Sequence, residues 1–270
     1  STLIGIMAKF RHLYQNAKIA GQHEEKFLKN PSGLARPDYN KELKSLYPVT
    51  TKKQPLYIVA QKTKDVHKAL LLKEEFGFDL VLTEVKQGWH YIDKIKQQNI
   101  PVLLSLDLPG EEKKPQEKED KDGEKKDSLK TEVKEIKKEK LDPEKKDYDA
   151  KKAAIVKEYL AQATNFEKNG INFGFSFLNS KPSDIKKTIK KLIDNGLSEN
   201  GALAALTTNP AKILGLSHLL GTVEKGKIAN LTITDKSYFD EKSVIKFVFV
   251  DGKKYDYSEK PRKPKDGKTD

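Results

Sequence analysis

Apolar residues return every three or four positions through Leu3, Ile4, Met7, Phe10, Leu13, Tyr14 and Ala17, which predicts an amphipathic helix over 3–17. A polar stretch follows, and the loop around Pro31, Ser32 and Gly33 ends it. A short helix over 38–46 is predicted next, stopped by Pro48. From Pro55 the period changes. Leu56, Tyr57, Ile58, Val59 and Ala60 form an unbroken apolar run, the pattern of a strand buried on both faces. A helix over 63–76 carries Val66, Ala69, Leu70 and Lys73 on successive turns and is closed by Gly77. A strand over 80–82, a helix over 88–98 and a strand over 102–104 continue the alternation. Short apolar strands separated by helices point to a parallel sheet or barrel.

The rhythm stops at Gly110. Residues 110–146 hold almost no apolar side chains and cannot bury enough surface to offset the entropy of ordering them, so a disordered, charged insertion is predicted there. A helix over 149–168 and a strand over 171–176 resume the pattern. Two helices follow, over 183–194 with Ser183 as cap and over 198–206 capped by Ser198, and Pro210 restarts a turn after Asn209. The last part is different in kind. Residues 221–235 read as a strand, a turn at Glu224 to Lys227, and a second strand. Asp251-Gly252 between two apolar runs is a hairpin signal.

Charge alters this picture little. The chain has 270 residues and a formal net charge of +12, but the 111–152 block holds lysines and acidic residues in equal number and contributes none of the excess. Lysine dominates, and Arg11, Arg36 and Arg262 are the arginines. A phosphate or base reader relies on the bidentate guanidinium fork, so nucleic acid is not expected as a partner. There is no cysteine, which excludes disulfides, thiolate metal sites and thiol nucleophiles. No apolar run reaches the roughly 20 residues that span a bilayer. The histidines His12, His23, His67, His90 and His218 show no ligand spacing with one another, and His67 and His90 fall on predicted outer helices.

Three segments in order carry a resemblance. Gly196-Leu-Ser-Glu-Asn-Gly-Ala-Leu-Ala-Ala-Leu-Thr-Thr-Asn-Pro-Ala-Lys-Ile-Leu-Gly-Leu216 resembles the end of the barrel in amidohydrolases of the imidazolonepropionase-like type. Leu220-Gly-Thr-Val-Glu-Lys-Gly-Lys-Ile-Ala-Asn-Leu231 resembles the strand pair that follows it, and Val248-Phe-Val-Asp-Gly-Lys253 the final hairpin. The resemblance implies an α/β fold: the second half of a (β/α)8 TIM-like barrel followed by a small antiparallel β-unit. The barrel part would occupy 1–216, the β-unit 217–257 and a basic tail 258–270. It also implies hydrolysis of C–N bonds in amides or cyclic amides, with one or two divalent ions activating water.

Two features depart from the family's pattern. Half a barrel leaves open sheet edges, so a missing N-terminal half of the barrel is expected as partner, from the same polypeptide or another chain. The family's metal-binding histidine falls near Val59, and its essential aspartate at Leu178; neither side chain can bind a metal or take a proton. No cofactor is therefore expected in this segment, while the complete protein has room by the resemblance for zinc or another divalent metal. Any surviving chemistry belongs just past the strand ends, which names Asp107, Glu84, Gln61 and Asn179 as candidate catalytic residues. Ser105 has no histidine near in sequence to act as base. Three functions stay open: a structural or substrate-presenting half of an amidohydrolase, a small-molecule binding barrel without catalysis, and a metal hydrolase using Glu84, Asp107 and histidines from elsewhere. The resemblance, the lack of cysteine and the lysine-rich surface favour a periplasmic or secreted location over a cytoplasmic one as the expectation, without fixing the compartment.

Overall fold

The computed structural model describes residues 3–109 and 143–257. The predicted insertion lies outside the described residues as far as 142, and so does the basic tail.

The first helix, α1, spans Leu3–Lys29, well beyond the predicted end at 17. Its second half is held from outside. Gly21 lies against the Tyr47 ring, where a Cβ would sit 3.4 Å from Cγ and Cδ1, and Lys44 pairs with Glu24 at 2.8 Å. Both partners come from α2, Lys41–Thr50, which is capped by Asn40. Pro48 stands inside α2 instead of stopping it. Only its own missing N–H is lost, and the bonds from Thr51 to Tyr47 O and from Lys53 to Pro48 O close the last turn around it. Phe10 and Tyr14 of α1 pack on Phe76 and Phe78, and Arg11 grips Glu75 with two bonds of 2.8–2.9 Å.

Four strands, β1 (Leu56–Val59), β2 (Leu80–Val85), β3 (Val102–Ser105) and β4 (Phe173–Ser176), form one parallel sheet in the order β1-β2-β3-β4. The connections run through α3 (Thr63–Phe76), α4 (Ile92–Gln97) and α5 (Pro143–Lys168). α5 starts six residues before its predicted start at 149, and a 3-10 turn at Trp89–Tyr91 takes up the start of the helix predicted over 88–98. After β4, a 3-10 turn at Pro182–Asp184 leads into α6 (Ile185–Asp194); Ser183 lies in that turn and its hydroxyl bonds Asp184 instead of capping. Then come α7 (Glu199–Leu206), capped by Ser198 as predicted, and α8 (Thr208–Ile213).

The two faces of the sheet differ. Leu56, Ile58, Leu80, Leu82, Val85, Val102, Leu104, Phe173 and Phe175 pack into one core with Val66, Leu70, Ile95, Phe166 and Ile189 of the surrounding helices. The register places Tyr57, Val59, Val81, Thr83, Leu103, Ser105, Gly174 and Ser176 on the other face. At the N-terminal end of that face α7 and α8 close in. Asn209 Nδ2 donates to Phe173 O at 2.7 Å, and a Cβ on Gly174 would lie 3.1 Å from Leu103 Cδ2 and Pro210 Cγ. Further along the strands the face is exposed at β1. The prediction that β1 is buried on both faces fails there: Val59 is 58% exposed and Tyr57 39%. Among the described residues β1 pairs with β2 alone, and no helix covers its second face.

A separate antiparallel sheet, order β5-β6-β7, contains β5 (Leu231–Thr234), β6 (Ile245–Val250) and β7 (Lys253–Asp256). Asp251 and Gly252 turn β6 into β7 with φ of 49° and 80°, the left-handed pair that the hairpin signal required. The strand predicted before the turn at Glu224 does not form; 222–230 is irregular.

Candidate functional site

The C-terminal ends of the parallel strands gather the polar residues. In β2 the register slips between Leu82 and Val85, which face Val102 and Leu104, so β2 holds one residue more than β3 over this stretch. That bulge has a definite consequence. Strict alternation would place Glu84 beside Leu82, on the helix-covered face. The extra residue keeps Val85 in the apolar core and swings Glu84 to the opposite side. Glu84 takes φ 54° to do so. The left-handed region is nearly free for glycine and costs other residues about 1 kcal/mol or more. A carboxylate held there at that cost is a residue with a role.

Glu84 is 1% exposed. Ser105 Oγ donates to Oε2 at 3.0 Å, Asn179 Nδ2 donates to the same oxygen at 3.0 Å, and Ser176 Oγ donates to Oε1 through a short bond. One carboxylate therefore links β2 to β3, to β4 and to the turn beyond β4. Ser105 is itself buried, and its oxygen accepts the Asp107 N–H at 3.3 Å. No ion pair to Glu84 occurs among the described residues; its charge rests on neutral donors.

The other predicted candidates take separate places. Asp107 pairs with Lys86 at 2.5 Å, on the rim and half exposed, and its main chain reaches Glu84 through the Ser105 hydroxyl. Gln61 acts through its main chain: its carbonyl accepts the N–H groups of Lys86 and Gln87, both at 3.1 Å. These bonds begin a rigid loop. Gln87 Nε2 donates to Tyr159 OH at 2.8 Å, Gly88 N donates to Gln162 Oε1 at 2.6 Å, and a Cβ on Gly88 would strike Val85 Cγ1 at 2.8 Å. The structure thus joins Glu84 and Asn179 and leaves Asp107 and Gln61 beside them.

Ser105 and Ser176 complete the cluster and were not among the predicted site residues. Two signals pointed to them: both strands end in serine, and Glu84 breaks the apolar alternation of β2 on what would be its buried face. Glu84 lies within β2 rather than past its end, as the sequence reading had it.

The comparisons agree with this architecture. The amidohydrolase family model matches residues 126–255. A solved amidohydrolase from Thermotoga maritima MSB8 superposes with a TM-score of 0.69 at 22% identity, covering 94% of this chain and 56% of that one. An uncharacterized protein and a prolidase complexed with n-methylphosphonate-l-proline match more weakly, with TM-scores of 0.49 and 0.48 and identities of 13% and 14%. They cover 83% and 82% of this chain and 51% and 50% of their own. Among curated proteins no match is found. Residues 126–255 are thus similar to the amidohydrolase family, and the chain shares its fold with the Thermotoga protein. It spans a little over half the length of the Thermotoga enzyme.

Amidohydrolases commonly hold divalent metal ions, and the residues at the strand ends can be tested against that need. A catalytic zinc site takes three histidine or carboxylate ligands with one position open. Glu84 is the one carboxylate of the buried cluster, both of its oxygens are engaged by serine and asparagine donors, and no histidine bonds to it. Among the described residues no three histidines or carboxylates come together. Val59 and Leu178, where the resemblance puts histidine and aspartate, stand exposed at 58% and 75%. The described residues do not by themselves fit the metal.

Proposed function

We propose that this chain is the second half of a (β/α)8-type amidohydrolase barrel that lacks metal ligands of its own and serves as scaffold, or presents substrate, to a complementary half in the same polypeptide or another chain. The complete protein is then a hydrolase of C–N bonds in amides or cyclic amides, of the imidazolonepropionase-like type, with any zinc or other divalent ion held by the complementary half.

The observation that carries this reading is the open sheet. Among the described residues β1 and β4 each have an unpaired edge, and large apolar side chains stand exposed on β1 at Tyr57 and Val59 and just past the end of β4 at Phe177 and Leu178. Unpaired parallel strands with apolar side chains are liabilities that closure of a barrel removes. The coverage of 56% of the Thermotoga amidohydrolase supports the same division of the fold.

Paired substitutions Val59→Asp and Leu178→Asp test it in the complete protein. Both side chains are exposed, so the melting of this half should hardly move. Association of the two halves, read by native mass spectrometry or by co-purification when they are expressed as separate chains, should fall by at least about tenfold, since each charge would have to be buried unpaired. Undiminished association, or an unchanged hydrolase activity after deletion of this half, would count against the proposal.

A further inference from the structure

Three strand ends of this half meet at one buried carboxylate. We infer that Glu84 is the clasp: its buried carboxylate ties the C-terminal ends of β2, β3 and β4 together and so fixes the rim that this half contributes to the barrel mouth. The inference rests on the reading of the chain as a half barrel without metal ligands of its own.

Three features point to it. The bulge in β2 and the φ of 54° at Glu84 serve to carry the carboxylate out of the helix-covered core and onto the serines of the next two strands. Each neighbouring element contributes one donor: Ser105 from β3, Ser176 from β4, and Asn179 from the turn after β4. Ser105 and Ser176 stand directly opposite each other in the β3–β4 register, so one carboxylate placed between the strands meets both. Parallel strands joined by remote crossovers have no hairpin to hold their ends in register. A buried carboxylate with three donors supplies that constraint at the ends, and charge-assisted bonds are the strong kind.

The same geometry sets what the clasp needs. It requires acceptor oxygens at the head of a side chain of glutamate length. Glutamine keeps the length, keeps one acceptor for Ser105 and Asn179, and presents an N–H2 to a Ser176 hydroxyl that can turn to accept. Alanine keeps nothing and leaves three buried or half-buried donors unmet.

The test is hydrogen exchange with mass spectrometry, together with metal content per chain, on the complete protein as wild type, Glu84→Gln and Glu84→Ala. In Glu84→Ala, exchange over 80–85, 102–106 and 173–179 should rise by at least about tenfold, while Glu84→Gln stays within about threefold of wild type. Metal content should be the same in all three proteins. A loss of one metal ion per chain in both variants would make Glu84 a metal ligand and overturn the inference. Unchanged exchange in Glu84→Ala would overturn it from the other side. If Glu84→Ala does not fold, Ser105→Ala and Ser176→Ala carry the test: each should loosen its own strand end with metal content constant, and no change in either sinks the clasp. Failure of the half-barrel reading appears separately, as undiminished association of the Val59→Asp, Leu178→Asp protein, and leaves the exchange pattern of β2 to β4 to be judged alone.

Discussion

The helix-covered face of the parallel sheet and its opposite face are built from the same strands but follow different rules. On the covered face Leu82, Val85, Val102, Leu104, Phe173 and Phe175 are buried against α3 to α6, as in a finished domain. On the opposite face apolar cover exists at the N-terminal ends, where α7 and α8 close on Gly174 and Leu103, and gives way to exposed Val59 and a buried polar cluster at the other ends. The first face derives its stability from contacts within this chain. The second depends partly on Glu84 and, in the proposal above, partly on a second half. Substitutions on the two faces should therefore fail in different measurements.

The largest effect belongs to the covered face. Phe166 of α5 is fully buried and meets Phe173 edge to face at 6.3 Å between ring centres. Its ring also lies against Gly88, which starts the loop after β2. Phe166→Ala removes that ring from a packed interior and should cost about 3–5 kcal/mol, read as a lowered denaturation midpoint with the slope unchanged. A loss under about 1 kcal/mol would mean that α5 is not part of the same cooperative core.

This division of the sheet was partly legible in the sequence. The short apolar runs and the period-3.6 patterns located β1 to β4 and the helices between them, because a strand covered by helices must be apolar and a crossover must be amphipathic. The same apolar run misled at β1: Tyr57 and Val59 read as buried because hydropathy reports what a side chain prefers, not whether a neighbouring layer is present to cover it. The clasp was half legible. Glu84 and Asn179 were visible as polar residues near strand ends, but their union requires a one-residue bulge, and a bulge leaves no mark in periodicity until the register of the neighbouring strand is known. Pro48 is the local counterpart. A proline signals the loss of one helical bond, and whether the helix ends there is decided by the bonds around it, here those of Thr51 and Lys53.

A middle-sized effect sharpens the boundary between the closed and open parts of the second face. A Cβ on Gly174 would sit 3.1 Å from Leu103 Cδ2 and Pro210 Cγ and 3.3 Å from the Ala205 carbonyl oxygen. The carbonyl and the proline ring belong to packed backbone and yield little. Gly174→Ala should cost about 1–3 kcal/mol by overpacking, measured by the same denaturation curve. Were the N-terminal end of this face as open as the end at Val59, the methyl group would be accommodated without loss.

The smallest effect on stability falls on the rim. Lys86 and Asp107 pair at 2.5 Å, with side chains 22% and 45% exposed. A pair so placed is screened by water and salt, and such pairs contribute about 0–1 kcal/mol. Asp107→Asn should therefore lower stability by less than about 1 kcal/mol, and the difference should shrink further in high salt. Its value lies in what accompanies that small change. Asp107 is the carboxylate a sequence reader would choose first for metal or base chemistry, since it follows β3 directly. The structure gives its side chain a lysine partner, while its main chain meets Glu84 through the Ser105 hydroxyl. If this half is scaffold, hydrolase activity of the complete protein should survive Asp107→Asn nearly unchanged, as stability does. A collapse of activity with stability intact would place a working carboxylate on this rim, and the second face of the sheet would then be a reacting surface instead of a docking one.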